Sequence, residues 1–161
     1  MSAARFLFLA ITLFACVHVV VGGDKAKYNV VGALTCGGYP YNGAFVAFFE
    51  YDPHNSDLCA AVKSNSSGYY HSSAIEDDGL WAGWPDELFF YVAHKCNTHK
   101  YKCVKRSLGE NIWYSDLNSN APPHVVDTIE LSKEQGEKCD ERMEAVVKNG
   151  RADEPEECYA N

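Results

Sequence analysis

From Tyr28 to Leu131, apolar and β-branched residues come in short runs punctuated by clusters of turn formers, the pattern of strands rather than helices. Tyr28 to Cys36 is the first run, and Gly37-Gly38-Tyr39-Pro40-Tyr41-Asn42-Gly43 closes it with residues that favour turns. Ala44 to Tyr51 follows, and Asp52-Pro53-His54-Asn55-Ser56-Asp57 breaks the chain again. Leu58 to Lys63, Tyr69 to Ala74, Leu88 to Lys95, Tyr101 to Leu108 and Val125 to Leu131 complete seven expected strands. Their number and spacing predict an all-β chain folded as a seven-stranded antiparallel β-sandwich. The second run departs from strict alternation. Val46 and Phe48 face one way while Phe45, Ala47, Phe49 and Tyr51 face the other, so the strand is either covered on both sides or presents an apolar stripe to a partner.

Beyond Leu131 the period changes from 2 toward 3.6. Ser132-Lys133-Glu134-Gln135 fits a capping box, with Ser132 as N-cap. Cys139, Met143, Val146 and Val147 then form one apolar stripe on a helix of about four turns, stopped by Asn149-Gly150. Gly136 falls in the first turn of that helix and weakens it by about 1 kcal/mol. From Arg151 the tail is acidic. At the other end, Arg5 precedes a mostly apolar stretch from Phe6 to Val21, with small residues Val21 and Gly23 set for cleavage before Asp24. That is the layout of a secretory signal peptide, too short for a membrane span. The expected organisation is therefore a leader over 1–23, a sandwich over 24–131 and a helical, acidic tail over 132–161. The protein is expected to be secreted and not membrane-spanning.

Secretion changes the reading of the seven cysteines. Cys16 lies in the leader, and Cys36, Cys59, Cys96, Cys103, Cys139 and Cys158 are expected to form three disulfides, with the pairing left open. His94, Cys96, His99 and Cys103 lie close together, but oxidised thiols do not ligate zinc and the spacing matches no standard finger, so no metal or cofactor is expected. A net charge of −8 excludes a general nucleic-acid binder. The charge is unevenly spread. No acid occurs from His94 to Gly109, while Lys95, Lys100, Lys102, Lys105 and Arg106 do, together with His99. If Cys96 and Cys103 flank a hairpin loop, these residues gather at one end of the sandwich as a candidate anion-binding edge. Asn65-Ser66-Ser67 is an N-glycosylation acceptor sequence in an expected turn.

The run Val31-Gly32-Ala33-Leu34-Thr35-Cys36, followed by Pro40, Gly43-Ala44-Phe45-Val46 and Phe48-Phe49-Glu50, resembles the opening of the nematode transthyretin-like proteins. Ser67-Gly68-Tyr69-Tyr70 is similar to their turn and strand, His94-Lys95-Cys96-Asn97 with Cys103 to their H-x-C-N motif, and Asp127-Thr128-Ile129-Glu130-Leu131 to their closing strand. The resemblance implies a transthyretin-like (prealbumin-type) sandwich and a secreted binding or carrier protein, or a secreted antigen or effector with no small ligand. It also implies two usual disulfides, with one more formed by Cys59, Cys139 or Cys158 in some combination. Asp127 stands where the family carries Gly, and Leu108 to Tyr114 replaces its Ile-Pro-Asp-x-Tyr segment. The related branch of the fold that hydrolyses 5-hydroxyisourate uses a His on the first strand and a C-terminal Tyr-Arg-Gly-Ser. Here the first strand reads Tyr28-Asn29-Val30-Val31 and the last residues are Cys158-Tyr159-Ala160-Asn161. No Gly-x-Ser-x-Gly occurs either, so no enzymatic activity is expected. Two kinds of function follow: a module that recognises a lipid headgroup, a glycan or a cell-surface protein, or an oligomeric carrier of small hydrophobic molecules between subunits.

Overall fold

The computed structural model describes residues 25–51, 56–77, 87–109, 112, 122–149 and 158–160. The expected leader over 1–23, the acidic stretch after Arg151 and the side chain of Cys158 lie outside the described residues. Two sheets pack face to face. One has the order β10(Cys158–Ala160), β5(Tyr69–Asp77), β1(Lys25–Cys36) and β2(Tyr39–Pro40), with β8(His124–Val125) and β9(Ile129–Glu130) also paired to β1. The other runs β4(Ser56–Lys63), β3(Phe45–Tyr51), β6(Leu88–His94) and β7(Lys102–Gly109).

Alternation in β1 sends Ala26, Tyr28, Val30 and Leu34 into the space between the sheets, where they meet Val46, Phe48, Phe90 and Val92 from the second sheet. Phe48 is central to this cluster, with ring centroids 5.6 Å from Tyr28, 6.3 Å from Tyr70 and 5.4 Å from Phe90. The expected seventh strand is corrected. Its residues form two short pieces, β8 and β9, and both run parallel to β1, pairing Val30 with His124 and Leu34 with Ile129. Because the intervening 126–128 leaves the ladder, the antiparallel seven-stranded count does not hold, and β2 and β10 are additional short strands.

The outer face of the second sheet is covered by the tail. Phe45, Ala47, Phe49, Phe89, Ala93 and Cys103 form a second buried cluster with Cys139, Met143 and Val146. That cover explains why β3 is apolar on both faces. The helix providing it, α1(Glu141–Asn149), is shorter than the expected helix from Ser132. Asp140 caps it, its Oδ1 accepting from the Met143 N–H at 2.8 Å. Ser132 is not a helix N-cap. Leu131–Lys133 is a 3-10 turn, and Glu137 then pairs with Cys103, each backbone N–H donating to the other's carbonyl at 2.9 Å. This bridge and the Cys103–Cys139 disulfide hold the segment extended, so tertiary pairing overrides the local helical pattern. A second disulfide joins Cys36 and Cys96, and Cys59 is also disulfide-bonded. Among the described residues no helix is long and apolar enough to cross a membrane.

Candidate functional site

Three loops meet at one end of the sandwich: the β1–β2 turn with its continuation to Ala44, the β4–β5 turn, and the β6–β7 loop. The Cys36–Cys96 disulfide ties the first to the third. The Lys95 N–H donates to the Tyr41 hydroxyl at 2.9 Å, and Ser64 Oγ accepts from the Ala44 N–H at 3.1 Å while donating to the Tyr41 carbonyl at 2.7 Å. Gly68 has φ +78, and a Cβ there would stand 2.4 Å from the Leu34 carbonyl oxygen. Only glycine lets the β4–β5 turn approach β1 this closely. In the same turn Asn65 Oδ1 accepts from the Ser67 and Tyr69 N–H groups at 2.9 and 3.1 Å, leaving an exposed acceptor sequence in an Asx turn.

Lys63, Lys95, His99, Lys100 and Lys102 are all exposed here or at the flanking strand ends. Tyr39 is 77% and Tyr69 61% exposed, so two large aromatic side chains stand in the open beside them. Lys95 Nζ rests over the Tyr101 ring and Lys63 Nζ over the Phe45 ring, each 4.4 Å from the centroid. The segments 32–49, 58–75 and 94–109 contain no acidic residue.

A carboxylate that reaches this end belongs to Glu130, and it is held by several hydrogen bonds. It accepts from the Ser132 hydroxyl, from the N–H groups of Gly38 and Gly37 at 2.7 and 2.8 Å, and from Thr35 Oγ1 at 3.0 Å. Its pKa falls from 4.5 to about 2, chiefly through the Ser132 hydroxyl and then the backbone N–H groups of Gly38, Ser132 and Gly37. The unfolded chain therefore binds this proton more readily than the folded one. The contribution to stability is complete above about pH 4.5 and is lost as pH falls through about 2. Glu130→Gln is expected to lower the melting temperature at pH 7, with the gap to wild type closing between pH 4.5 and 2 in thermal melts. A gap independent of pH would contradict this role.

The structure brings together four of the six basic-edge residues expected from sequence and separates two. Lys95, His99, Lys100 and Lys102 share the loop end. Lys105 lies on the outer face of the second sheet with its Nζ 3.9 Å from the Phe89 centroid. Arg106, one residue on, turns to the opposite face and forms an ion pair with Glu134 at 2.5 Å. His94 is buried, its Nδ1 accepting from the Cys96 N–H at 3.2 Å. Burial, and then the charge of Lys102, lowers its pKa. Cys96 and Cys103 are both in disulfides, which removes their sulfurs as metal ligands. Lys63, Tyr39 and Tyr69 join the site without having been expected in it. Their signal was the lack of acids in the turns around them, but it takes the Cys36–Cys96 link and the pairing of β4 and β5 with β3 and β1 to place those turns beside the basic loop.

Comparison with known proteins gives little beyond the fold. No curated protein matches the chain. Among solved structures, a crystal structure of a 9R-lipoxygenase from Cyanothece is similar at 12% identity and a TM-score of 0.37, covering 66% of this chain. The chain spans 16% of that lipoxygenase chain, and at this score the likeness carries no argument. Residues 31–110, which run from the middle of β1 through β7 and carry the three loops just described, match the model of the transthyretin-like family, and the β-sandwich they build is a transthyretin-like domain.

Proposed function

We propose that this protein is a secreted binding module that recognises an anionic ligand, the phosphate of a lipid headgroup or the acidic groups of a glycan, through the loop end of the sandwich. The observation that carries this reading is the convergence of Lys63, Lys95, Lys100, Lys102 and His99 with exposed Tyr39 and Tyr69 on one end of the sandwich, where the Glu130 carboxylate is held by its own hydrogen bonds. The leader-like residues 1–23 and the disulfides support secretion. The exposed Asx turn at Asn65 supports attachment of a glycan beside the same end.

A basic residue near an anionic surface contributes about 1 kcal/mol. Four lysines thus supply about 4 kcal/mol, roughly three orders of magnitude in affinity. The combined variant Lys63→Glu, Lys100→Glu and Lys102→Glu is expected to lose at least about a hundredfold in binding. Co-sedimentation with anionic vesicles and retention on sulfated-glycan beads distinguish the two ligand sources. Binding by the triple variant equal to wild type on both supports would overturn the assignment.

A further inference from the structure

A second arrangement lies on the opposite flank of the second sheet and plays no part in the loop-end reading. The rings of Phe49 and Phe89 stack with centroids 5.6 Å apart and planes at 11°. Tyr91 stands perpendicular to both, 5.7 Å from Phe49 at 86° and 5.8 Å from Phe89 at 82°. Two parallel rings and one upright ring make an aromatic corner, whose faces carry negative potential. The ammonium of Lys105 already occupies it, 3.9 Å from the Phe89 centroid and 5.8 Å from that of Tyr91.

This corner forms one side of a cleft of about 440 Å³ whose other wall is the start of α1, with Asp140, Glu141 and Arg142. That volume is within the range of small-molecule sites. Burial, and then the neighbouring Asp140 carboxylate, raise the pKa of Tyr91, so the phenol stays neutral beside the acidic wall. Arg142 is anchored by a hydrogen bond from Nη1 to the Ser56 carbonyl oxygen. The cleft therefore presents two cations, Lys105 and Arg142, and two carboxylates, Asp140 and Glu141, against an aromatic floor. A simple anion or a simple cation would each meet repulsion from one pair. A net-neutral zwitterion satisfies both.

We infer that this cleft binds a small choline phosphodiester, its quaternary ammonium replacing the Lys105 ammonium on the Phe89–Tyr91 corner and its phosphate taken by Arg142 and the displaced Lys105. A quaternary ammonium is the better occupant because it is weakly hydrated and has no N–H groups to satisfy, whereas the lysine ammonium gives up strong hydration to sit there. Asp140 and Glu141 complement the ammonium, and the two basic side chains complement the phosphate.

The test is isothermal titration of the full chain with glycerophosphocholine. Saturable one-site binding is expected. Choline alone and glycerol 3-phosphate each lack one half of the recognised pair, and glycerophosphoethanolamine keeps both charges but carries N–H groups that hold their hydration, so each should bind at least about tenfold more weakly. Tyr91→Leu keeps apolar bulk and removes the upright ring, and it should reduce glycerophosphocholine affinity at least about tenfold with an unchanged far-ultraviolet spectrum. Arg142→Gln leaves Lys105 as the one basic partner of the phosphate and should bind glycerophosphocholine at least about tenfold more weakly than wild type while binding choline alone as wild type does. The Lys63→Glu, Lys100→Glu, Lys102→Glu variant should bind it as wild type does, so failure of the loop-end reading leaves this result untouched. Absence of saturable binding, or equal affinity for glycerophosphocholine and glycerophosphoethanolamine, would overturn the inference even if Tyr91→Leu failed to fold.

Discussion

Replacing Cys36 and Cys96 together by alanine is expected to lower the unfolding free energy by about 3–5 kcal/mol. The bridge spans a sequence separation of 60 residues, so removing it restores a long loop's conformational freedom to the unfolded chain. A domain of this size has on the order of 5–15 kcal/mol in total, so the loss is a large fraction of it. The consequence extends to function. The same bridge ties the β1–β2 turn, with Tyr39 beside it, to the loop that carries Lys95, His99 and Lys100. The variant should therefore lose affinity for an anionic support as well as stability. Urea unfolding reads the first effect and vesicle co-sedimentation the second. A loss below about 1 kcal/mol would show that the hydrogen bonds of the loop end hold it without the bridge.

The second large effect is expected at Gly32. A Cβ placed there would stand 2.3 Å from the Tyr70 hydroxyl oxygen and 2.4 Å from its Cζ, well inside contact distance. The ring of Tyr70 cannot retreat freely, because Phe48 and Phe90 pack against it with centroids 6.3 and 6.1 Å away. Gly32→Ala should therefore cost about 3 kcal/mol, the upper part of the usual range for overpacking. Tyr70→Ala alone leaves a cavity and costs a comparable amount, about 3–5 kcal/mol. In the Tyr70→Ala background, however, Gly32→Ala should cost less than about 0.5 kcal/mol, because the obstructing ring is gone. Additive losses in this cycle would mean that Gly32 is required for some reason other than the approach of Tyr70.

Alternation made most of the sandwich legible in the sequence. β1 buries every second residue from Ala26 to Leu34, and a pattern of period 2 needs no knowledge of the partner strand. The double-sided apolar character of β3 was equally visible, but its cause was not. Met143 and Val146 cover Phe45 and Phe49 from about a hundred residues away, and nothing local in β3 distinguishes cover by a helix from cover by a partner. The start of α1 was misplaced for the same kind of reason. Ser132 to Asp140 has helical spacing, yet Glu137 pairs with Cys103 and Gly136 has φ +22 with Lys102 Cβ only 3.0 Å from where its own Cβ would lie. A bridge formed across the fold outweighs a modest local preference.

The candidate site divides along the same line. The absence of acids from His94 to Gly109 is a property of the sequence alone, and it drew the basic loop into view. The direction of each side chain is a property of the strand it sits on. Lys105 and Arg106 continue the basic run but fall on opposite faces of β7, one over Phe89 and one against Glu134. Conversely, Lys63 and Tyr69 flank the β4–β5 turn, and pairings with β3 and β1 bring that turn to the loop end. Disulfide pairing has the same character, since cysteine spacing does not choose among partners.

The most direct test of the loop-end assignment is a titration of the ¹⁵N-labelled protein with a sulfated oligosaccharide at low and high salt, followed amide by amide. Shifts should be confined to residues 37–43, 63–69 and 95–102, and added salt should suppress them because the contacts are ionic. Shifts centred on Lys105 and Arg106, or no saturable shifts at low salt, would contradict the assignment.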